Sequence, residues 1–301
     1  MSPTPPLAAR QLLVVTGKGG VGKSAVAAAA GKALAAAGSS VLVLEIDPRE
    51  TVHQMFSRPP SGGEVVEVEP RLYLQNLQAT DVLDQLVRER LRVRALVERV
   101  LASPVYRQFT GGGPGLKELA VLGHTLRLVR GLAPGAPRVD TVVLDAPATG
   151  HGVSLLAAPL LVAEVIRKGP IGELTHQVAE LVREPARTGV VAVTLAEEMP
   201  VTEALELASL LQERLERSPD LLVVNGLYPP LPTRGGEAED VLGRLWRQRR
   251  QLNEAELRRL DRGWAGSRVE LPLWPLDRGP RLVAELAAGL APALTGSGGG
   301  P

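Results

Sequence analysis

A glycine-rich loop near the N-terminus constrains the fold of this chain more than any other stretch. Residues 16–24 read Thr-Gly-Lys-Gly-Gly-Val-Gly-Lys-Ser and match the phosphate-loop pattern G-x4-G-K-[ST]. The loop follows the apolar run 12–15 and precedes the alanine-rich run 25–37, which predicts strand, loop and helix in that order. Such a unit, followed by a second apolar run at 41–46, predicts the first βαβ unit of a parallel sheet.

The same loop predicts a binding site for the phosphates of a nucleotide. Glycines let consecutive backbone N–H groups turn towards a phosphate, and the N-terminus of the next helix adds positive potential. We expect Lys23 to reach the β- and γ-phosphates and the Ser24 hydroxyl to ligate Mg²⁺. Lys18 is a second lysine that the ordinary pattern does not require. The predicted nucleotide-binding residues of the loop are Gly17, Lys18, Gly19, Gly20, Val21, Gly22, Lys23 and Ser24.

Composition limits the classes of function. A hydrophobic content of 45% in 301 residues can fill a large core, and a net charge of +1 gives no electrostatic reason to expect nucleic acid as a partner. The absence of cysteine excludes disulfides, cysteine-ligated zinc and iron–sulfur clusters from this chain alone. No stretch of about 18 apolar residues is free of charged residues and proline. We therefore expect no integral membrane segment and a cytoplasmic protein.

Two aspartates follow apolar runs that predict strands. Asp47 comes after the run 41–46, and Asp145 comes after the run 139–144. Because the carboxyl ends of parallel strands meet at one sheet edge, both are expected beside the phosphate loop. Asp47 is predicted to orient or deprotonate the attacking water and to lie at the metal site, with an Asp-Pro turn as the alternative. Asp145 is predicted to support Mg²⁺, as in a Walker B strand.

The segment that begins at Asp145 and one further strand end also carry polar side chains. Residues 145–152 read Asp-Ala-Pro-Ala-Thr-Gly-His-Gly. They predict a switch loop that senses the γ-phosphate, with a surface-loop histidine as the alternative for His151. The switch residues are Asp145, Thr149, Gly150 and His151. The run 221–224 ends at Asn225, whose amide can pair with an adenine edge; the alternative is an Asn-Gly turn.

The remaining periodicity predicts a helical region between the strands. Amphipathic or apolar patterns at 80–101, 116–132, 153–166 and up to about 183 predict a helical subdomain of about 80–135 and 153–186, inserted between the switch loops. Another helix is expected over 201–217, with Thr202 as its cap. We predict one α/β domain over 7–292, a mostly parallel twisted sheet of the P-loop NTPase class flanked by helices. Residues 1–6 and 295–301 are predicted to be disordered tails.

Together these motifs resemble the ArsA-type family of anion-transporting ATPases. The loop 16–24 is similar to the family's deviant Walker A motif. Residues 145–151 resemble switch II (D-T-A-P-T-G-H) with an altered middle. Asp47 and the proline after it resemble switch I (T-D-P-A-H), without its Ala-His. Residues 114–118 resemble a P-G-x-x-E element in the helical region.

The resemblance also implies roles for single residues. It implies that Lys18 crosses a dimer interface to the partner's nucleotide, and that Asp47, Lys18 and Lys23 are catalytic. Asn225 is similar to the family's adenine-reading asparagine. Pro272 and Leu273 fall where the family packs a loop against adenine.

For function, the resemblance implies a magnesium-dependent ATPase that works as a homodimer or with a paralogous subunit. Hydrolysis would switch a helical region that binds a client, such as a hydrophobic helix of a membrane protein. The segments 119–132 and 153–166 are the candidate groove, with ordinary helix packing as the alternative. The lack of cysteine departs from the arsenite-binding and zinc-clamped relatives, so arsenite transport is not expected.

Two other functions stay open at this point. One is a nucleotide-gated chaperone or regulatory module with little hydrolysis. The other is a partitioning ATPase of the MinD type, which shares the extra lysine. A Gly/Ser-rich C-terminal stretch and a near-zero net charge disfavour the partitioning ATPase.

Overall fold

The computed structural model describes residues 5–47, 49–90, 94–103, 115–146, 151–165, 168–231 and 241–296. Within these residues eight strands form one sheet, in the order β3-β4-β2-β5-β1-β6-β7-β8. The strands are β1 Leu12–Gly17, β2 Val41–Glu45, β3 Val66–Glu69, β4 Leu72–Asn76, β5 Thr141–Asp145, β6 Thr188–Leu195, β7 Leu221–Leu227 and β8 Arg268–Pro272.

Helices connect the strands and cover the sheet. Their bounds are α1 Lys23–Ala36, α2 Thr51–Met55, α3 Ala79–Arg90, α4 Arg94–Ala102, α5 Leu116–Val129, α6 His151–Val165, α7 Gly169–Arg183, α8 Glu198–Leu215, α9 Val241–Gly263 and α10 Pro280–Thr295. The single helix predicted over 80–101 corresponds to α3 and α4, which flank residues 91–93 outside the described part of the chain.

The sheet is parallel except at one edge. β3 pairs with β4 in antiparallel fashion, and the other neighbouring strands pair in parallel. The central strands are fully buried, as their unbroken Leu/Val sequences predict for a sheet covered on both faces. The predicted mostly parallel sheet flanked by helices is therefore confirmed.

Strand register brings the polar strand ends to one edge of the sheet. Asp145 pairs with Val15 of β1 and with Glu45 of β2, and Glu45 pairs in turn with Asn76 of β4. Further along the same edge, Leu195 of β6 pairs with Asn225 of β7. The carboxyl ends of β4, β2, β5, β6 and β7 thus lie along the same sheet edge as the loop that leaves β1.

The helical region packs largely into the core. In α5 the apolar residues Leu119, Leu122 and Leu126 are buried, and the first half of α6 is buried at Val153 and Leu156. Within the described ranges, no helix combines the length and the apolar character that a bilayer crossing requires.

Candidate nucleotide site

A cavity of about 730 Å³ lies where the phosphate loop meets the strand ends. Its size is in the range of small-molecule and cofactor sites. The lining combines loop backbone, one lysine, two aspartates and two arginines. The residues are Gly19, Gly20, Gly22, Lys23, Ser24, Ala25, Ile46, Asp47, Arg49, Thr51, Gln54, Met55, Asp145, Ala146 and Arg278.

Two glycines of the loop are required by close packing. Gly22 caps α1 with a φ of +94°, and a Cβ there would run into the side-chain amide of Asn225. Gly17 ends β1 with a φ of +149°, and a Cβ there would collide with the carbonyl oxygen of Val193. Because only glycine fits both the backbone angle and the space, the loop can wind tightly over β6 and β7.

Lys23 is held by the loop that it follows. Its Nζ donates a hydrogen bond to the carbonyl oxygen of Lys18 at 2.9 Å. Burial lowers the pKa of Lys23, while the carboxylates of Asp145 and Asp47 act in the opposite direction. The ammonium therefore lies inside the cavity, close enough to both aspartates for their charges to be felt.

Asp145 is the buried acid of the site. It is only 6% exposed, and its Oδ1 lacks a hydrogen-bond partner among the described residues. Burial raises the pKa of Asp145 to about 7, with the charges of Glu45 and Asp47 adding to the rise, against a lowering hydrogen bond from Ser24 and the charge of Lys23.

This arrangement fits a magnesium ion. An orphaned carboxylate oxygen next to a hydroxyl is an oxygen donor set, and Mg²⁺ is commonly held by one or two protein carboxylates with phosphates and water completing its shell. Among the described residues no group of three or more His, Cys, Asp or Glu could hold a metal ion. A dedicated cage made by the protein alone is therefore not what this edge of the sheet offers.

Asp47 pairs with Arg49, a residue to which the sequence motifs assign no role. Its carboxylate accepts two side-chain hydrogen bonds from Arg49, at 3.0 and 2.7 Å, and one from the Arg49 backbone N–H at 2.9 Å. These bonds hold the pKa of Asp47 below its usual range. The Asp47 carbonyl accepts a hydrogen bond from buried Asn76 at 2.6 Å. Pro48, part of the switch I match, lies outside the described residues.

Glu45 is a second acid whose role did not emerge from the sequence. It is 1% exposed, and its carboxylate accepts hydrogen bonds from the backbone N–H groups of Thr51 and Val52, at 2.6 and 3.0 Å. The first turn of the short helix α2 therefore receives its capping acceptor from the preceding strand. Asn76 and Glu45 together fix the chain segment that carries Asp47.

Lys18 points away from its own phosphate cavity. Its Nζ pairs with the Glu203 carboxylate of α8 at 2.8 Å, and it is not among the residues that line the 730 Å³ cavity. The side chain is 31% exposed. Lys18 thus lies on the surface side of the loop, where its side chain is accessible to a second molecule.

A second cavity, of about 260 Å³, adjoins the loop at β6 and β7. It contains the predicted base-binding residues Asn225 and Leu273, and Asn225 donates a hydrogen bond to the Val21 carbonyl at 3.0 Å. Pro272 ends β8 and pairs with Leu227, outside this lining. Asn225 lies on β7 and pairs with Leu195, so the strand extends through the Asn-Gly pair.

The predicted switch II residues are only partly described. Asp145 ends β5, and His151 is the first residue of α6. Thr149 and Gly150 lie outside the described residues, as does Pro114 of the P-G-x-x-E element. Gly152 approaches the Thr16 hydroxyl so closely that a Cβ would collide with it. The start of α6 is therefore seated directly on the strand that enters the phosphate loop.

Comparison with known proteins identifies the family. Residues 10–184 match the family model of the anion-transporting ATPases, known as ArsA ATPases. The chain belongs to this family. The resemblance and the P-loop fold class predicted from the sequence are both confirmed.

Three relatives illustrate the range of similarity. ATPase BagA of Mycobacterium tuberculosis is 30% identical, covering 65% of this chain and 59% of its own length. The arsenical pump-driving ATPase of Escherichia coli is 27% identical over 72% of this chain and 39% of its own. ATPase GET3C of Arabidopsis thaliana is 26% identical over 50% of this chain and 41% of its own. The match thus spans about 59% or less of these relatives.

Proposed function

We propose that this protein hydrolyses ATP in a magnesium-dependent reaction. The observation that carries the proposal is the convergence of Lys23, Ser24, Asp47 and Asp145 around one cavity at the carboxyl edge of the sheet. Membership of an ATPase family and the ATPase relatives support it.

The residues divide into phosphate, metal and water roles. The loop N–H groups and Lys23 bind and neutralise the β- and γ-phosphates. Ser24 and Asp145 would hold Mg²⁺, which supplies charge neutralisation between the phosphates when bound. Asp47 orients the attacking water and accepts its proton, a role that requires its carboxylate to leave Arg49. Arg49 and Arg278 line the same cavity and supply further positive charge near the phosphates.

The second cavity takes the base in this proposal. Asn225 offers an amide edge beside the loop, and Leu273 offers an apolar wall. A planar ring between them would lie next to Gly20, Val21 and Gly22, which also approach the phosphates. One nucleotide can therefore use both cavities because the loop forms a wall of each.

We propose that the active form is a dimer. Lys18 is partly exposed and does not face its own phosphate cavity, as a lysine that serves a partner's nucleotide would require. The partner is a second copy or a paralogous subunit. ATP binding would favour the dimer, since it would present phosphates to the lysine of the other subunit.

The catalytic assignment is tested with Asp47→Asn. We expect this variant to bind ATP with an affinity close to that of the wild type while losing most of its turnover, because the carboxylate that accepts the proton of water is gone. Equilibrium ATP binding and steady-state phosphate release are the two measurements. Asp277→Asn, at an exposed position, is the control with the same change of charge. Turnover equal to that of the wild type in Asp47→Asn would refute the role of Asp47.

A second candidate function is a nucleotide-gated chaperone or regulator with little hydrolysis. A third cavity, also of about 260 Å³, favours this function. Its lining includes Ile46, next to Asp47, together with Val121 of α5 and Leu155 of α6. A movement of the Asp47 segment would be felt directly by these helices.

In this structure the proposed client segments pack mainly into the core, with Leu132 and Leu161 exposed. Client binding therefore needs the helices to open. Co-purification of a hydrophobic segment in only one nucleotide state would support this function, and its absence in every state would count against it.

A further inference from the structure

One residue in the lining of the second cavity comes from a helix that lies later in the chain. Tyr228, which follows β7, and Asn253 of α9 line this cavity together with Ala196, which follows β6. Asn253 is 7% exposed and lies in the middle of a long, mostly exposed helix. A buried amide at such a position requires hydrogen-bond partners.

Asn253 bridges the two strand ends that flank the cavity. Its Nδ2 donates to the Ala196 carbonyl at 2.8 Å, and its Oδ1 accepts from the Tyr228 backbone N–H at 3.0 Å. The two partners are an acceptor and a donor, so the orientation of the amide is fixed by its surroundings. One side chain therefore links the residues that follow β6 and β7, just beyond the last paired residues of these strands.

Other contacts attach the same helix to the chain after β7. The Trp246 indole N–H donates to the Pro229 carbonyl at 2.8 Å, and Arg250 donates to the Tyr228 carbonyl at 3.0 Å. The rings of Tyr228 and Trp246 meet edge to face, with centroids 4.8 Å apart. The backbone of Tyr228 is thus held at both its N–H and its carbonyl by α9.

We propose that Asn253 is a positioning residue for the base of the nucleotide. It holds Ala196 and Tyr228, two residues of the cavity lining, in the positions that leave room for a planar ring beside Asn225 and Leu273. The proposal rests on the proposed ATP function, since it assigns the base to this cavity. Asn253 does not line the 730 Å³ cavity, so it should affect recognition of the base without affecting the phosphates.

The test compares ATP with inorganic tripolyphosphate, which carries three phosphates and no base. In Asn253→Ala we expect the Kd for ATP to rise about tenfold or more, because a backbone N–H and a carbonyl lose their partner and the cavity wall loosens. The Kd for tripolyphosphate should stay within about twofold of the wild type. At saturating ATP, kcat should also be retained, so the effect appears in KM.

Matched variants separate positioning from general damage. Asn253→Asp has nearly the same shape and keeps the acceptor for Tyr228 but loses the donor to Ala196, so the same base-selective loss is expected. Gln251→Ala changes an exposed amide on the same helix and should leave both affinities unchanged. If both Asn253 variants fail to fold, Trp246→Phe removes the bond to Pro229 and should give a smaller loss for ATP alone.

The outcomes distinguish this inference from the proposed function. A wild-type protein that binds neither ATP nor tripolyphosphate refutes the nucleotide site itself. ATP affinity that is unchanged in folded Asn253 variants, or in Trp246→Phe when those do not fold, overturns only the role of α9. An equal loss of ATP and tripolyphosphate binding also overturns it, because the effect would then reach the phosphate loop.

Discussion

Three ionisable side chains that the sequence singled out lie in different electrostatic environments. Asp47 is paired with Arg49, Lys18 is paired with Glu203, and Asp145 is buried beside Ser24 with one oxygen unpartnered. The first two are surface pairs that a ligand can displace at modest cost. Asp145 is different, because burial rather than a partner controls its protonation. Its environment therefore suits a bound cation.

Burial of Asp145 should make the stability of the wild type depend on pH, and Asp145→Asn should remove this contribution. The pKa of Asp145 is about 7 in the folded protein and near its ordinary value of 3.8 when unfolded, so the folded state binds more protons between these values. Its contribution to stability is then present at low pH and is lost as the pH rises towards and through about 7. In EDTA, we expect Asp145→Asn to gain in Tm over the wild type as the pH is raised from 5.5 to 8.5.

Thermal unfolding of wild type, Asp145→Asn and the charge-matched Asp277→Asn makes the comparison. With ATP present at pH 8.5, adding Mg²⁺ should raise the Tm of the wild type more than that of Asp145→Asn, because the phosphates complete the shell of the ion. A Tm difference between Asp145→Asn and wild type that does not vary with pH would show that Asp145 is not a buried acid of this kind.

Short elements at the sheet edge are held by side chains from other elements. Helix α2 begins without a side-chain cap of its own, and Glu45 of β2 supplies the acceptor. Thr202 is the opposite case, because a residue predicted to cap a helix does not lie at its end. The predicted cap lies inside α8, where its hydroxyl donates to the Glu198 carbonyl at 2.8 Å and accepts from Arg259 of α9. That prediction was wrong because Glu198 and Met199 already belong to the helix.

Replacing Glu45 tests the link between β2 and α2. Glu45→Ala leaves two backbone N–H groups without an acceptor, whereas Glu45→Gln keeps an amide oxygen that can serve one of them. Both variants remove the charge near Asp145, so their difference reports the hydrogen bonds and the packing of the side chain without a contribution from its charge. We expect the free energy of unfolding of Glu45→Ala to lie about 1 kcal/mol below that of Glu45→Gln in urea denaturation. Equal stabilities would mean that Glu45 does not hold the start of α2.

Across the whole molecule, the site is the product of strand order. β1 lies between β5 and β6, so the loop that leaves it is flanked by Asp145 on one side and by the base cavity on the other. α9 reaches that cavity from far along the chain, through Asn253. The face of the loop that carries Lys18 is left open beside α8. In the proposed dimer, that face is where the second subunit would complete the site.

Size-exclusion chromatography with light scattering, with and without ATP and Mg²⁺, tests the dimer. Lys18→Ala should abolish ATP-dependent dimerisation, because the charge that reaches the partner's nucleotide is lost. Glu203→Gln should strengthen ATP-dependent dimerisation by up to about fivefold, since Lys18 no longer has to break its partly exposed ion pair. A wild-type protein that stays monomeric under all conditions, or a Lys18→Ala variant that dimerises normally, would rule out this use of Lys18.

Much of the fold and part of the site could be predicted from local sequence. The strands β1, β2 and β5 consist mainly of Leu and Val, and the aspartates at or just beyond the ends of two of them fall at the expected sheet edge, because parallel strands end together. Arg49 lies two residues from Asp47 but was not recognised. The Asp-Pro alternative allowed for a turn at Asp47, but the sequence does not show that the Arg49 side chain pairs with the carboxylate. Asn253 was missed for a different reason. A lone asparagine in a charged helical pattern looks like a solvated residue.

The sequence by itself determined the phosphate loop, the order of strands and helices, and the family, because glycine conformation and hydrophobic periodicity act over short stretches of chain. Only the tertiary structure decided which charges meet: Asp47 with Arg49, Lys18 with Glu203, and Glu45 with the start of α2. It also decided that Asn253 of α9 lines the cavity beside β6 and β7. These contacts depend on strand register and helix packing, which bring together residues that are distant in the chain, such as Lys18 and Glu203 or Ala196 and Asn253.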